Sequence, residues 1–160
     1  MFENLVEELK IWGELLAQEY KDRLKSENLV ASGRLYNSVR SSVNISGNHY
    51  EVVLNLEEWW KYIEGGRGVT RNNGDGELRR AILEWIRVKP ILPRPYNGKL
   101  PTENQLAYLI SRKIHNLGYE GKRPLGRILD ENRDAVYRDI EKALQKDLNT
   151  DVLNILRTIE

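Results

Sequence analysis

The sequence contains no cysteine, which excludes disulfide bonds, a thiol nucleophile and cysteine-based zinc sites together. Its two histidines, His49 and His115, are too few and too isolated to indicate a metal cluster. No apolar run approaches membrane-spanning length, and the first residues, MFENLVEELK, carry acids where a signal peptide carries bases. We therefore expect a soluble protein of a reducing compartment, with no metal and no membrane partner.

The sequence also shows no arrangement of residues that is typical of a catalytic site. Adjacent carboxylates such as Glu57-Glu58 lie in helical stretches, where neighbouring side chains point to different faces. Acid–base catalysis needs two such groups aimed at one point. The serines near position 40 lack a histidine and carboxylate context for nucleophilic catalysis. We expect no enzymatic activity and no cofactor.

The 160 residues suit one domain, and the apolar spacing predicts an α+β class: a small antiparallel hairpin packed by several helices, with long exposed loops. An amphipathic helix is expected over residues 2–25, within an N-terminal part that spans residues 1–27, because apolar side chains recur at three- and four-residue steps. These side chains are Phe2, Leu5, Val6, Leu9, Trp12, Leu16, Tyr20 and Leu24.

Residues 31–64 predict a helix–hairpin–helix unit. Ser32 is placed to cap a short first helix with its hydroxyl oxygen. Apolar and polar residues then alternate over residues 43–54 on both sides of a Gly47-Asn48 turn, as in a hairpin. A helical period follows, and Gly65-Gly66 is expected to end that second helix.

Two segments predict exposed loops, residues 64–77 and 88–101. The first, EGGRGVTRNNGDGE, has five glycines and almost nothing apolar, so we expect it to be mobile unless a partner orders it. It lacks the GK[ST] of a P-loop and the spacing of a dinucleotide fingerprint, and therefore does not indicate a nucleotide site. The second contains four of the five prolines.

The C-terminal part, residues 102–160, is expected to be helical. Thr102 and Gln105 form the pattern of a capping box, and the helix that they begin is expected to end at Gly118. Another helical pattern follows the loop YEGKRPLG, and Asn149-Thr150-Asp151 is a candidate interruption of it.

Charge is distributed unevenly along the chain, although the net charge is +1. Residues 65–127 hold 13 basic and 5 acidic side chains, whereas the segments on either side are net acidic. A basic middle suits a phosphate-facing surface or self-association between the middle of one copy and the ends of another. The third interpretation is a solvated loop region, since loops collect Arg and Lys.

Five motifs follow one another in this chain. They are S-G-R-L-Y-N-S at residues 32–38, Y-I-E-G-G-R at 62–67, Trp85-Ile86, Arg112-Lys113-Ile114 with the glycine-containing basic stretch 118–122, and Pro124-Leu125 before an acidic helix. In this order, with a strand pair after the first, they resemble the neck and minor tail proteins of tailed bacteriophages, the tail-completion or head–tail joining proteins. The resemblance covers about residues 30–147, and residues 148–160 extend past the usual end.

The resemblance implies a virion structural protein, assembled in the host bacterial cytoplasm as a ring of six or twelve copies. The ring would join the portal or connector to a tail-tube or tail-terminator protein, and phage DNA would pass through its lumen. We hypothesise that residues 64–77 and 90–101 make the contacts between subunits or rings. Candidate contact or DNA-path residues are Arg67, Arg71, Asn72, Asn73, Arg94, Tyr96, Lys99, Lys122 and Arg123.

The alternative is a sequence-nonspecific nucleic-acid-binding protein that acts through the basic region 65–127. It would bind as a monomer through one surface formed by Arg79, Arg80, Arg87, Arg112 and Lys113. Trp59-Trp60 could stack on bases in such a protein, but tryptophans at helical spacing are more typical of a core, and we interpret them so. A third interpretation, a small regulator or antitoxin-like module, is based on size and helix content alone.

Overall fold

A computed structural model of the chain describes residues 2–70, 76–89, 91, 93–95 and 98–159. The elements in this part of the chain confirm the α+β class. In chain order they are α1 (Glu3–Ser26), α2 (Arg34–Ser38), β1 (Arg40–Ser46), β2 (His49–Asn55), α3 (Trp60–Gly65), β3 (Gly66–Arg67), α4 (Glu77–Val88), α5 (Glu103–Leu117), β4 (Tyr119–Glu120) and α6 (Pro124–Ile159).

Helices α1 and α6 form the main packing contact and run antiparallel to each other. The core lies between them, where Tyr20 and Leu24 of α1 are fully buried against Ile128 of α6. An ion pair at the rim, with 2.7 Å between Arg23 Nη2 and Glu131 Oε2, fixes the same register. The apolar stripe predicted for α1 is therefore the surface on which α6, β1 and β2 pack.

The predicted hairpin is confirmed with its turn. Strand β1 pairs antiparallel with β2 so that Val43 faces Val52 and Ser46 faces His49, which leaves Gly47 and Asn48 as the two-residue loop. Both strands pack against α1. The hairpin thus covers a second side of the N-terminal helix.

Two details of the helix–hairpin–helix unit differ from the prediction. Ser32 is not the cap of α2: Gly33 occupies that position in a left-handed conformation, and Ser32 Oγ accepts only a long hydrogen bond of 3.5 Å from the Arg34 amide. Helix α3 begins at Trp60, after a turn, and this turn leaves Trp59 46% exposed. The interpretation of Trp59 as a core residue is wrong.

Ser38 has a role that its position in the sequence did not reveal. Its hydroxyl donates to the Leu35 carbonyl at 2.8 Å and accepts from the Glu57 amide at 2.9 Å. It therefore ties the end of α2 to the segment that leaves the hairpin, across 19 positions of sequence.

The capping box of α5 is confirmed, with Thr102 and Gln105 each accepting the other's backbone amide. The candidate interruption of the last helix is wrong, because α6 continues from Pro124 to Ile159. Thr150 fits within the helix since its hydroxyl donates to the Lys146 carbonyl at 2.9 Å, one turn earlier.

Asp147 of α6 caps the N-terminus of α1. The residue at the cap position of α1, Phe2, supplies no side-chain acceptor. Asp147 Oδ1 accepts from the Asn4 amide at 3.0 Å and from the Asn4 side chain at 2.8 Å, and Oδ2 accepts from the Leu5 amide at 2.9 Å. Burial alone would raise the pKa of Asp147, but the hydrogen bonds from Asn4 and Leu5 outweigh it, so the pKa lies below its ordinary value of 3.8.

Asp147 should make stability fall in acid. Because its folded-state pKa is depressed, the stabilisation is complete well above pH 3.8 and is lost as the pH falls through the lower, folded value. Asp147→Ala should lower the free energy of unfolding by about 1–3 kcal/mol at pH 7, since it leaves first-turn amides unpaired. Urea unfolding between pH 2 and 7 measures both effects.

The exposed Asp134 on the same helix supplies the control, Asp134→Asn. Equal losses at the two positions at pH 7 would contradict the capping role of Asp147.

Candidate functional site

The nine predicted contact residues divide into three groups. Arg71, Asn72, Asn73 and Tyr96 lie outside the described residues. Arg94 and Lys99 are exposed, and no described side-chain hydrogen bond or ion pair joins them to the others. The remaining three, Arg67, Lys122 and Arg123, lie around one turn that the structure builds from two distant segments.

This turn begins with a strand pair that the sequence did not predict. Strand β3 pairs antiparallel with β4, so that Gly66 faces Glu120 and Arg67 faces Tyr119. The Lys122 amide donates to the Ile63 carbonyl at 2.8 Å beside it. We call the two joined segments, residues 63–67 and 119–126, the crossover turn.

Glycine is required where the two backbones cross. Gly66 has φ +72° and ψ −155°, and a β-carbon there would lie 2.1 Å from the Tyr119 carbonyl oxygen. A β-carbon on Gly121 would lie 2.0 Å from the Glu64 carbonyl oxygen. The expectation that residues 64–77 need a partner to become ordered is thus wrong for residues 64–70, which the chain itself orders. Beyond the turn, the Thr70 amide still donates to the His115 carbonyl at 3.0 Å.

Glu64 caps the longest helix from within this turn. Its Oε1 accepts from the Leu125 amide at 2.7 Å, and its Oε2 accepts from the Gly126 amide at 3.2 Å. Pro124 begins the helix, where its missing N–H costs nothing. A carboxylate at a helix N-terminus satisfies unpaired amides and interacts favourably with the helix dipole. The motif Y-I-E-G-G-R therefore supplies the acceptor that stabilises the start of α6.

Tyr20 of α1 lies close enough to Glu64 for the carboxylate charge to act on its hydroxyl. Its side chain is fully buried, and its hydroxyl has no hydrogen-bond partner in the part of the chain that the structure describes. Burial and, second, the negative charge of Glu64 raise the pKa of the Tyr20 hydroxyl. The raised pKa keeps the phenol neutral at physiological pH, and the buried side chain packs beside the Glu64 cap.

The basic residues of the crossover turn differ in their exposure to solvent. Arg67 is half-buried in β3, whereas Lys122 and Arg123 are exposed. Arg123 lies 3.7 Å from Asp130 in a solvent-exposed ion pair, which contributes little net attraction. Lys122 and Arg123 are the residues of this group that a neighbouring molecule can reach directly.

An apolar cleft of about 1020 Å³ adjoins the crossover turn. One wall comes from Leu24, Leu29, Trp59 and Ile63, and the other from α4 and α5, which pack against each other. The second wall includes Ala81, Ile82, Trp85, Val88, Ile110 and Ile114. Because apolar groups dominate both walls, the cleft suits an apolar partner.

Within the described residues, no group of three or more His, Asp or Glu side chains is placed to hold a metal ion. None of the helices described is both long and apolar enough to cross a membrane. In comparisons with known proteins, no family model, no curated protein and no solved structure matches this chain.

Sequence reasoning missed the cap, the strand pair and the cleft. Strands of two residues produce no alternating pattern, and Glu64 lies 61 residues from Leu125. One usable signal was present: glycines in both segments, GG at residues 65–66 and GYEG at residues 118–121, are typical of two backbones in close contact.

The adjacent glycines of the turn supply a matched test. Gly66→Ala should destabilise the protein by at least about 3 kcal/mol, because it combines a Gly-only conformation with backbone overlap. Gly65→Ala should change stability by less than about 1 kcal/mol and in the stabilising direction, since Gly65 ends α3 and a β-carbon there meets no atom within 4 Å. Urea denaturation of the two variants measures the difference. Similar values for both would contradict a close crossing of the two backbones at Gly66.

Proposed function

We propose that this chain is a structural subunit of a tailed bacteriophage, a neck or tail-completion protein that assembles as a ring around the DNA path. The observation that carries the proposal is the amount of apolar surface that one copy leaves in water. Trp59, Trp85 and Val88 are exposed along the cleft, and the last turns of α6 are exposed on every side. Extended uncovered apolar surface is typical of a subunit that neighbouring subunits complete.

The positions of the motifs give further support. Segments that carry the resemblance to neck proteins, 62–67 and 118–125, are distant in sequence but form the single crossover turn. The other motif near the N-terminus, residues 32–38, supplies the Ser38 tie to the hairpin exit. These motifs thus act as the framework of one α+β subunit.

The proposed partners follow from the same picture. Further copies would form a ring of six or twelve, with a portal or connector on one side and a tail-tube or tail-terminator protein on the other. Phage DNA would meet exposed basic side chains such as Lys122 and Arg123 through its phosphates. Such contacts read no sequence and weaken steeply with salt.

The test is made in the particles produced by the genome that encodes this chain. Mass spectrometry of purified tailed particles should find the protein at a fixed ratio to the portal protein, near one-to-one or one-to-two. Silencing its expression should yield DNA-filled heads that carry no tails, seen by electron microscopy, and re-expression of the wild-type chain should restore joined particles. Absence of the protein from purified tailed particles would overturn the proposal.

A separate measurement distinguishes the nucleic-acid-binding alternative. Fluorescence anisotropy with labelled duplex DNA should give weak binding at about 0.15 M salt. Tight binding by a monomer under these conditions would favour that alternative over the ring.

A further inference from the structure

We infer that the last turns of α6 in one copy dock in the apolar cleft of the next copy, so that subunits join head to tail. The inference deepens the proposed function and rests on it for closure into a ring. We call residues 148–158 the apolar tail. Its apolar side chains, each 54–59% exposed, are Leu148, Val152, Leu153, Ile155 and Leu156.

The tail is uncovered because its companion helix ends first. Helix α1 begins at Glu3, and Asp147 of α6 caps that end of α1. Residues after Asp147 therefore extend beyond the antiparallel helix pair. Leu148, Val152 and Ile155 are spaced by four and three residues, which places them on one face of the helix. This spacing is the pattern by which an amphipathic helix fills an apolar groove.

The cleft has the size that such a helix needs. Eleven to twelve helical residues are roughly 18 Å long and 10–12 Å wide, so half of that cylinder occupies roughly 700–1000 Å³. The cleft holds about 1020 Å³. Three arginines (Arg34, Arg67 and Arg87) and two glutamates line the cleft, and this slight basic excess suits the partial negative charge of a helix C-terminus.

A chain cannot place its own tail in its own cleft. The cleft is lined by Leu24 and Tyr119, next to the start of α6, whereas the tail begins 24 residues further along the same continuous helix. At 1.5 Å per residue this separation is about 36 Å. The tail and the cleft therefore lie at opposite ends of the subunit, and a second copy has to supply the contact.

Docking covers both exposed surfaces at once, whereas pairing of two tails would leave Trp59, Trp85 and Val88 in water. A contact between two different surfaces of the same molecule is directional. It propagates from copy to copy and ends either in a closed ring or in a filament.

The experiment uses full-length variants in which one surface is disabled at a time. The tail variant is Val152→Asp/Leu156→Asp, and the cleft variant is Trp59→Ser/Val88→Asp. All four residues are at least 46% exposed in one copy, so each variant should fold, and circular dichroism with thermal melting verifies this. The control is Tyr137→Asp, at a site on α6 that is 67% exposed and lies outside both surfaces.

Light scattering and analytical ultracentrifugation over a concentration series provide the readout. The wild-type chain and the Tyr137→Asp control should form species larger than a dimer. Each surface variant alone should be a monomer, with self-association weakened at least about 100-fold, because a charge replaces an apolar contact. An equimolar mixture of the tail and cleft variants should form a one-to-one dimer and nothing larger, since one working interface remains.

Three results would overturn the inference. The first is a wild-type chain that stays monomeric up to about 1 mM. The second is a cleft variant that still self-associates, which would indicate tail-to-tail pairing, and the third is a mixture of the two variants that remains monomeric. None of them decides the particle experiment above. Conversely, a one-to-one dimer together with absence from tailed particles would support docking and reject the proposed phage function.

Discussion

The structure depends first on one carboxylate, that of Glu64, held against the first-turn amides of α6. Helix α6 supplies Ile128 to the core at one end and Asp147 to the N-terminus of α1 at the other. Its own start therefore has to be fixed, and Glu64 does this with hydrogen bonds to Leu125 and Gly126. A helix start that is buried without such acceptors would leave amide groups unpaired, at about 1–3 kcal/mol each. Beside Glu64 the two backbones lie so close that a β-carbon on Gly66 or Gly121 would overlap a carbonyl oxygen of the opposite segment.

The same arrangement gives the subunit two different ends. At the crossover turn, β3 and β4 hold the start of α6 beside the cleft. At the far end, Asp147 completes α1 while α6 continues alone, with its apolar residues in water. Glu64 thus caps the start of α6 at one end of the antiparallel helix pair, and Asp147 caps the start of α1 at the other end. An apolar cleft at one end and an apolar helix at the other are left in water, and they are the basis for proposing an assembling subunit.

Prediction from sequence succeeded where a signal is local and repeated. Helix α1, the hairpin with its Gly47-Asn48 turn and the Thr102 capping box all depend on spacing within a few residues. It failed at two local details and where a distant contact decides. Gly33, and not Ser32, is the cap residue of α2, and Trp59 lies in a turn before α3 that leaves its side chain exposed. The pairing of β3 with β4 joins segments of two residues each, so no periodicity precedes it. Of the nine candidate contact residues, Arg67, Lys122 and Arg123 meet at one place, but the apolar cleft beside them consists of side chains that spacing alone assigns to a core.

The most direct test of the central role of Glu64 is amide hydrogen exchange, measured residue by residue by NMR in the wild-type chain and in Glu64→Ala. We expect the Leu125 and Gly126 amides of the wild type to exchange at least about 100-fold more slowly than in an unstructured peptide, because both are hydrogen-bonded. In Glu64→Ala this protection should be lost at those two positions first, while the Ile128 amide further along the helix stays protected. Unprotected Leu125 and Gly126 amides in the wild type would contradict the capping of α6 by Glu64.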